Sequence, residues 1–183
     1  MSTLTVNYLL YQIGWLAVVL GVAANFVWLG SLVAVVLIVL HLAWVIRPGH
    51  EMRLLAAGGI TGLVTDSLLV SCGLLSFEVG ILVDGVAPPW IVLLWIQFAT
   101  TLRFSLRWLL SYPWLMSATG AIGGPAAYAA GAELGVVSVT GPETFAALAV
   151  IWTFSLPCLA WVARRDPVST TYRFRNSPNV SDA

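Results

Sequence analysis

Apolar residues fall in six blocks separated by short polar, glycine-bearing or proline-bearing stretches, and the first 46 residues carry no charged side chain. A helix needs about 20 apolar residues to cross roughly 30 Å of hydrocarbon. Each block is long enough, so the pattern predicts an all-α, polytopic membrane bundle of six transmembrane helices over about 6–23, 26–46, 54–77, 89–110, 114–132 and 143–163. Gly21 to Asn25 reads as a tight turn between the first two. Pro89, Pro113 and Pro142 open the last three, because a proline's missing N–H would be unpaired in a first helical turn anyway. Residues 1–165 form one domain, and the polar segment 166–183, with no apolar face, is expected to be a disordered cytoplasmic tail.

Composition narrows the class. Of 183 residues 60% are hydrophobic and 9% charged, with a mean hydropathy of +0.94. Soluble domains carry about 25% charged residues, so a soluble globular domain is excluded. The N-terminal block lacks a basic segment before it and leads directly into a second block, which reads as a retained span rather than a secretion signal. Cys72 and Cys158 both lie in apolar blocks, which argues against a disulfide scaffold.

Charge sets the orientation. With a cytoplasmic N-terminus, all eight arginines fall on the cytoplasmic side: Arg47 and Arg53 between spans two and three, Arg103 and Arg107 at the end of span four, and Arg164, Arg165, Arg173 and Arg175 after span six. Glu78, Asp84, Glu133 and Glu143 then fall outside. Both termini are therefore expected in the cytoplasm. Trp28 and Trp90 map to the outer interface and Trp44, Trp108, Trp114 and Trp161 to the inner one, as an aromatic belt would place them. Trp15, Trp95 and Trp152 lie deeper. Helix packing is the expected role for them, a cavity wall the alternative.

Polar residues at depth are the candidates for chemistry, because a charged group at the centre of a bilayer costs about 2.5–3.5 kcal/mol even on insertion scales. Asp66 lies in span three, at mid-depth if that span ends at Phe77, on one face with Gly58 and Gly62. It reads either as a ligand-contacting carboxylate or as a protonated acid hydrogen-bonded between helices. Span four places Gln97, Thr100, Thr101, Arg103, Ser105 and Arg107 on one arc. Arg103 is expected to snorkel to lipid phosphate, the alternative being a buried pair with Asp66. In span five Gly123, Gly124 and Pro125 predict a kink or helix break, with Tyr128 and Glu133 beyond it. Asn7 and Gln12 in span one read as interhelical glue or ligand contacts. His41 and His50 make no paired-ligand motif, so no metal site and no cofactor is expected. No phosphate-binding loop, nucleophile elbow or basic nucleic-acid groove is present.

The runs Asn7 to Trp15, Gly62 to Ser67, Pro89 to Leu102 and Gly123 to Gly135 carry a resemblance that covers about residues 5–163. Their pattern, Asn…Gln-x-Gly-Trp, Gly-x-x-x-Asp, Pro-x-Trp…Phe-Ala and Gly-Gly-Pro…Tyr, resembles a bacterial family of small multi-pass inner-membrane proteins classed as a domain of unknown function. Arg103 departs from it, standing where a neutral polar residue is expected. The resemblance implies a location in the bacterial inner membrane and no particular activity; the association of such genes with enzymes that modify fatty-acyl chains points to a lipid-related role. In size and topology alone the chain is also similar to the substrate-capturing subunits of energy-coupling-factor transporters, but it shows no ATPase-docking motif. The leading expectation is a non-enzymatic protein that binds or transports a lipid or small hydrophobic ligand between spans three, four and five, through Asp66, Gln97, Thr101, Arg103, Tyr128, Glu133, Gln12 and Asn7. The alternatives are an accessory subunit of a lipid-modifying membrane complex, with a membrane protein partner, and a membrane-embedded enzyme using Asp66 or Glu133.

Overall fold

The computed structural model describes residues 2–165; the expected disordered tail, with Arg173 and Arg175, lies outside the described residues. Six helices account for most of that length: α1 Thr3–Ala23, α2 Val27–Trp44, α3 Pro48–Ser71, α4 Pro89–Leu102, α5 Pro113–Glu133 and α6 Pro142–Arg165. Four of them, α1, α2, α3 and α6, are both long and apolar enough to cross a membrane. The fourth expected span is shorter than predicted. α4 has 14 residues, or about 21 Å, and then gives way to an irregular turn and a 3-10 segment at Arg107–Ser111. At 21 residues α5 has the length to cross but is built largely of glycine and alanine, so its hydropathy is low.

Asn25 adopts the left-handed conformation (φ 61°) that closes the α1–α2 turn, where Phe26 N–H bonds back to the Gly21 carbonyl. At one end of the bundle two short strands, β1 Leu75–Ser76 and β2 Ser138–Val139, pair antiparallel, with Leu75 opposite Val139. They join the α3–α4 and α5–α6 connections. This ribbon corrects the third span, expected over 54–77. Leu74, Leu75 and Phe77 are apolar because they pack into the cap of the bundle and not because they continue a helix, and α3 both starts and ends about six residues earlier. Asp66 consequently lies five residues from the end of α3, about 7.5 Å along the axis, and not at mid-depth. The connection that covers it is held by Ser67 Oγ accepting from Ala87 N–H (3.0 Å) and by Trp90 Nε1 donating to the Val79 carbonyl (2.9 Å).

Helix contacts are made at glycines. A Cβ on Gly30 would lie 2.3 Å from the Ala17 carbonyl oxygen, one on Gly58 2.8 Å from Ala99 Cβ, and one on Gly120 2.4 Å from the Trp152 carbonyl oxygen. The break expected at Gly123, Gly124 and Pro125 is absent, since α5 runs without interruption through Pro125. Beside Pro125, Gly124 admits the Trp152 indole of α6 against the helix backbone: a Cβ there would sit 2.2 Å from Trp152 Cγ. Gly123, on the next face, has open space around it. Gly124→Ala is expected to lower stability by about 1–3 kcal/mol through overpacking. Gly123→Ala should be neutral or raise it by up to about 1 kcal/mol through helix propensity. Paired thermal unfolding in the same detergent checks this contrast.

A candidate ligand cleft and the polar clusters around it

α4 touches α1, α2, α3 and α6 and forms the floor of a cavity in the bundle. The cavity is a cleft with about 70 Å³ of free space. Tyr11, Trp15 and Val19 of α1 make one wall. Ala127, Tyr128 and Gly131 of α5, with Trp152 of α6, make the other. Trp90, Leu94, Trp95 and Phe98 of α4 lie between them, and Val136 and Val137 close the ribbon end. Trp95 and Trp152 stack (4.3 Å between centroids, 20° between planes), and Phe98 meets Trp152 edge-on at 5.5 Å. The deep tryptophans were expected to serve packing. Trp95 and Trp152 do pack on each other, but together with Trp15 they are also the walls of a cavity. Trp90, expected at the outer interface, is 2% exposed and roofs the cleft, whereas Trp28, Trp108, Trp114 and Trp161 are exposed.

Asp66 sits behind this cleft, 1% exposed. Its two oxygens accept from different helices: Oδ2 from Trp95 Nε1 at 2.9 Å, Oδ1 from the Tyr128 hydroxyl at 2.5 Å. The glycine stripe explains the geometry. A Cβ on Gly62 would lie 2.2 Å from Trp95 Cγ, so glycine one turn before Asp66 lets the indole lie flat on α3 with its N–H against the carboxyl group. Asp66 thus ties α3, α4 and α5 together and orients two aromatic walls. It does not itself line the cleft.

Arg103 is far from Asp66 in chain path and role. It is 4% exposed and turns to Glu51, which is fully buried: Nη1 donates to Glu51 Oε2 at 3.1 Å and to the His50 carbonyl at 2.9 Å, and Nε donates to the Ala163 carbonyl at 3.1 Å. The other Glu51 oxygen lies 3.1 Å from His41 Nε2, whose ring rests edge-on against Phe104 at 5.2 Å. Neither snorkelling nor pairing with Asp66 describes this arginine. The acid it pairs with, Glu51, precedes the start of span three expected at about residue 54; α3 in fact begins at Pro48 and carries Glu51 into the bundle.

The remaining candidates separate. Asn7 holds the end of α4: its amide donates to the Thr100 carbonyl (3.1 Å), and its Oδ1 accepts from Ser105 N–H (3.2 Å) and hydroxyl (2.8 Å). That carbonyl needs a partner because Phe104 N–H bonds to Thr101 instead. Thr101 returns its hydroxyl to the Phe98 carbonyl. Gln97 reaches the Leu10 carbonyl across Gly14 (3.4 Å), while its Oε1 is buried without a partner beside a second cavity of about 10 Å³ lined by Asn7, His41 and Thr100. Gln12 lines neither cavity, and Glu133 is exposed at the last residue of α5. Of the eight expected contacts, then, Asp66 and Tyr128 bond to each other and Asn7 and Gln97 share the small second cavity. Tyr11, Trp15, Trp95 and Trp152, which build the cleft, were not among them, although the depth of three of these tryptophans in the sequence signalled it. Among the described residues no three His, Cys, Asp or Glu side chains group as metal ligands.

The buried ion pair makes a stability prediction. Removing one partner leaves a charge without compensation, so Glu51→Leu or Arg103→Met is expected to cost about 3–5 kcal/mol. The double variant Glu51→Leu with Arg103→Met should cost less than either single change. Denaturant unfolding of the four proteins as a double-mutant cycle measures the difference.

No curated protein and no solved structure matches the chain. A family model matches residues 4–158, nearly all of the helical domain, and the chain belongs to the family described as Protein of unknown function (DUF2878).

Proposed function

We propose that this protein crosses the bacterial inner membrane six times, with both termini in the cytoplasm, and binds a lipid or small hydrophobic ligand in the cleft over α4. The observation that carries the binding reading is the cleft itself. Its lining holds no Asp, Glu, Arg, Lys or His side chain, and seven of its fourteen lining residues are aromatic. Val19 and Trp90 mark its outer end, and Trp152 lies ten residues into α6, or about 15 Å down. That depth is roughly one leaflet of a 30 Å hydrocarbon layer, and Ala127 on the rim is exposed, which gives an apolar molecule a sideways entry from the bilayer.

The orientation rests on charge. Arg47, Arg53, Arg103, Arg107, Arg164 and Arg165 lie at or near the end of the bundle opposite the β1–β2 ribbon, while Glu78, Asp84, Glu133 and Glu143 lie at the ribbon end. In this reading α4 crosses together with the turn and 3-10 segment that follow it. Polar backbone in those segments is met by Asn7, whose Oδ1 accepts from Ser105 N–H, and by Arg164, which donates to the Leu110 carbonyl at 2.8 Å. The glycine faces that would serve a partner subunit are used within the chain, and both oxygens of Asp66 are occupied. The binding reading is therefore preferred to the accessory-subunit and enzyme readings.

Filling the cleft tests this function. Wild-type protein purified in native-lipid nanodiscs is expected to retain an apolar molecule detectable by mass spectrometry, and Ala127→Trp, which places an indole in the entrance, to lose most of it. Equal retention by the two would refute the cleft as the site. For topology, reporter fusions after Gly49 and after Asp84 should report opposite sides of the membrane, the first cytoplasmic.

A further inference from the structure

One residue of the cleft's lining carries a buried donor with nothing to bond to. Of the cleft's indoles on α4 and α6, Trp90 donates to the Val79 carbonyl and Trp95 to Asp66. Trp152 Nε1 is buried and has no partner. An indole N–H only donates, and a buried donor left unmet in an apolar surrounding costs about 1–3 kcal/mol. Its position cannot relax easily, because the ring is held between the Trp95 face and the backbone at Gly124. The Tyr128 hydroxyl is committed to Asp66, and the Asp66 carboxyl group accepts from two donors and does not line the cleft. No charge is therefore presented to a ligand.

Resting on the binding reading above, we infer that the ligand is an uncharged lipid-soluble molecule with a hydrogen-bond acceptor oxygen, carbonyl or ether, that Trp152 Nε1 meets at the deep end of the cleft. Depth separates this class from ordinary phospholipid. Trp152 lies about 15 Å below the start of α6, near the bilayer centre, whereas a phospholipid's ester oxygens stay at the polar interface about a leaflet away. An acyl chain of phospholipid would bring only methylene groups to Trp152. A neutral ketone, ester or quinone-like molecule that partitions wholly into hydrocarbon brings the missing acceptor.

The test uses full-length protein in phosphatidylcholine nanodiscs, with its tryptophans labelled with ¹⁵N at the indole and the Trp152 signal assigned through Trp152→Phe. 2-Undecanone and undecane are titrated separately, with concentrations expressed in the lipid phase. Undecanone is expected to move the Trp152 indole resonance downfield and to perturb the stacked Trp95 resonance at about tenfold lower concentration than undecane, as one added hydrogen bond implies. In Trp152→Phe the tenfold preference should vanish. Equal affinity for the two probes in wild type would overturn the acceptor assignment while leaving apolar binding intact. Failure of both probes to perturb either resonance would overturn the binding reading as well. The comparison within wild type decides the matter even where Trp152→Phe does not fold.

Discussion

Hydrocarbon offers a polar group no partner, so a donor or acceptor inside this bundle is costly unless another part of the chain answers it. α4 is where most of those answers meet. Within nine residues it sends Trp95 to Asp66 on α3, Gln97 to the Leu10 carbonyl on α1, the Thr100 carbonyl to Asn7, and Arg103 to Glu51 on α3 and Ala163 on α6. A helix too short to cross a membrane alone is thereby anchored to its neighbours at both ends. Its central position leaves α1 on one side and α5 with α6 on the other, and the cleft is the space between them.

Glycine converts those polar contacts into a shaped cavity. Gly14 receives the Gln97 side chain, Gly62 the Trp95 indole and Gly124 the Trp152 indole; in each case a Cβ would approach the seated group to 2.2 Å or less. The two indoles held in this way stack on each other and present their remaining surface to the cleft. Asp66 contributes by fixing Trp95 and Tyr128, which makes it a positioning residue whose carboxyl group is consumed internally. The same satisfaction that makes the buried acid tolerable removes it from ligand chemistry, and Trp152 stands out because its buried donor, unlike those of Trp90 and Trp95, has no partner.

Helix number, the small-residue stripe through Gly58, Gly62 and Asp66, and the segregation of arginine to one end were legible in the sequence because each follows from local spacing. The errors also have a common cause. Leu74 to Phe77 look like the end of a span, since an apolar residue in a folded cap and one in a lipid-facing helix have the same hydropathy; this placed Asp66 too deep and left Glu51 outside the bundle. Gly123-Gly124-Pro125 looks like a break, since helix propensity takes no account of an indole packed on the opposite side. Arg103 looks like a snorkelling side chain until the fold supplies a buried carboxylate 52 positions earlier.

The amino-acid sequence by itself determined that the chain is a helical membrane protein and which end carries its positive charge, because length, hydropathy and charge act one segment at a time. Only the tertiary structure decided which polar residues meet. Asp66 takes Trp95 and Tyr128, Arg103 takes Glu51, and an aromatic cleft forms over α4. Hydrogen bonds and ring stacking act over a few ångströms between residues tens of positions apart, and that distance is created by helix packing.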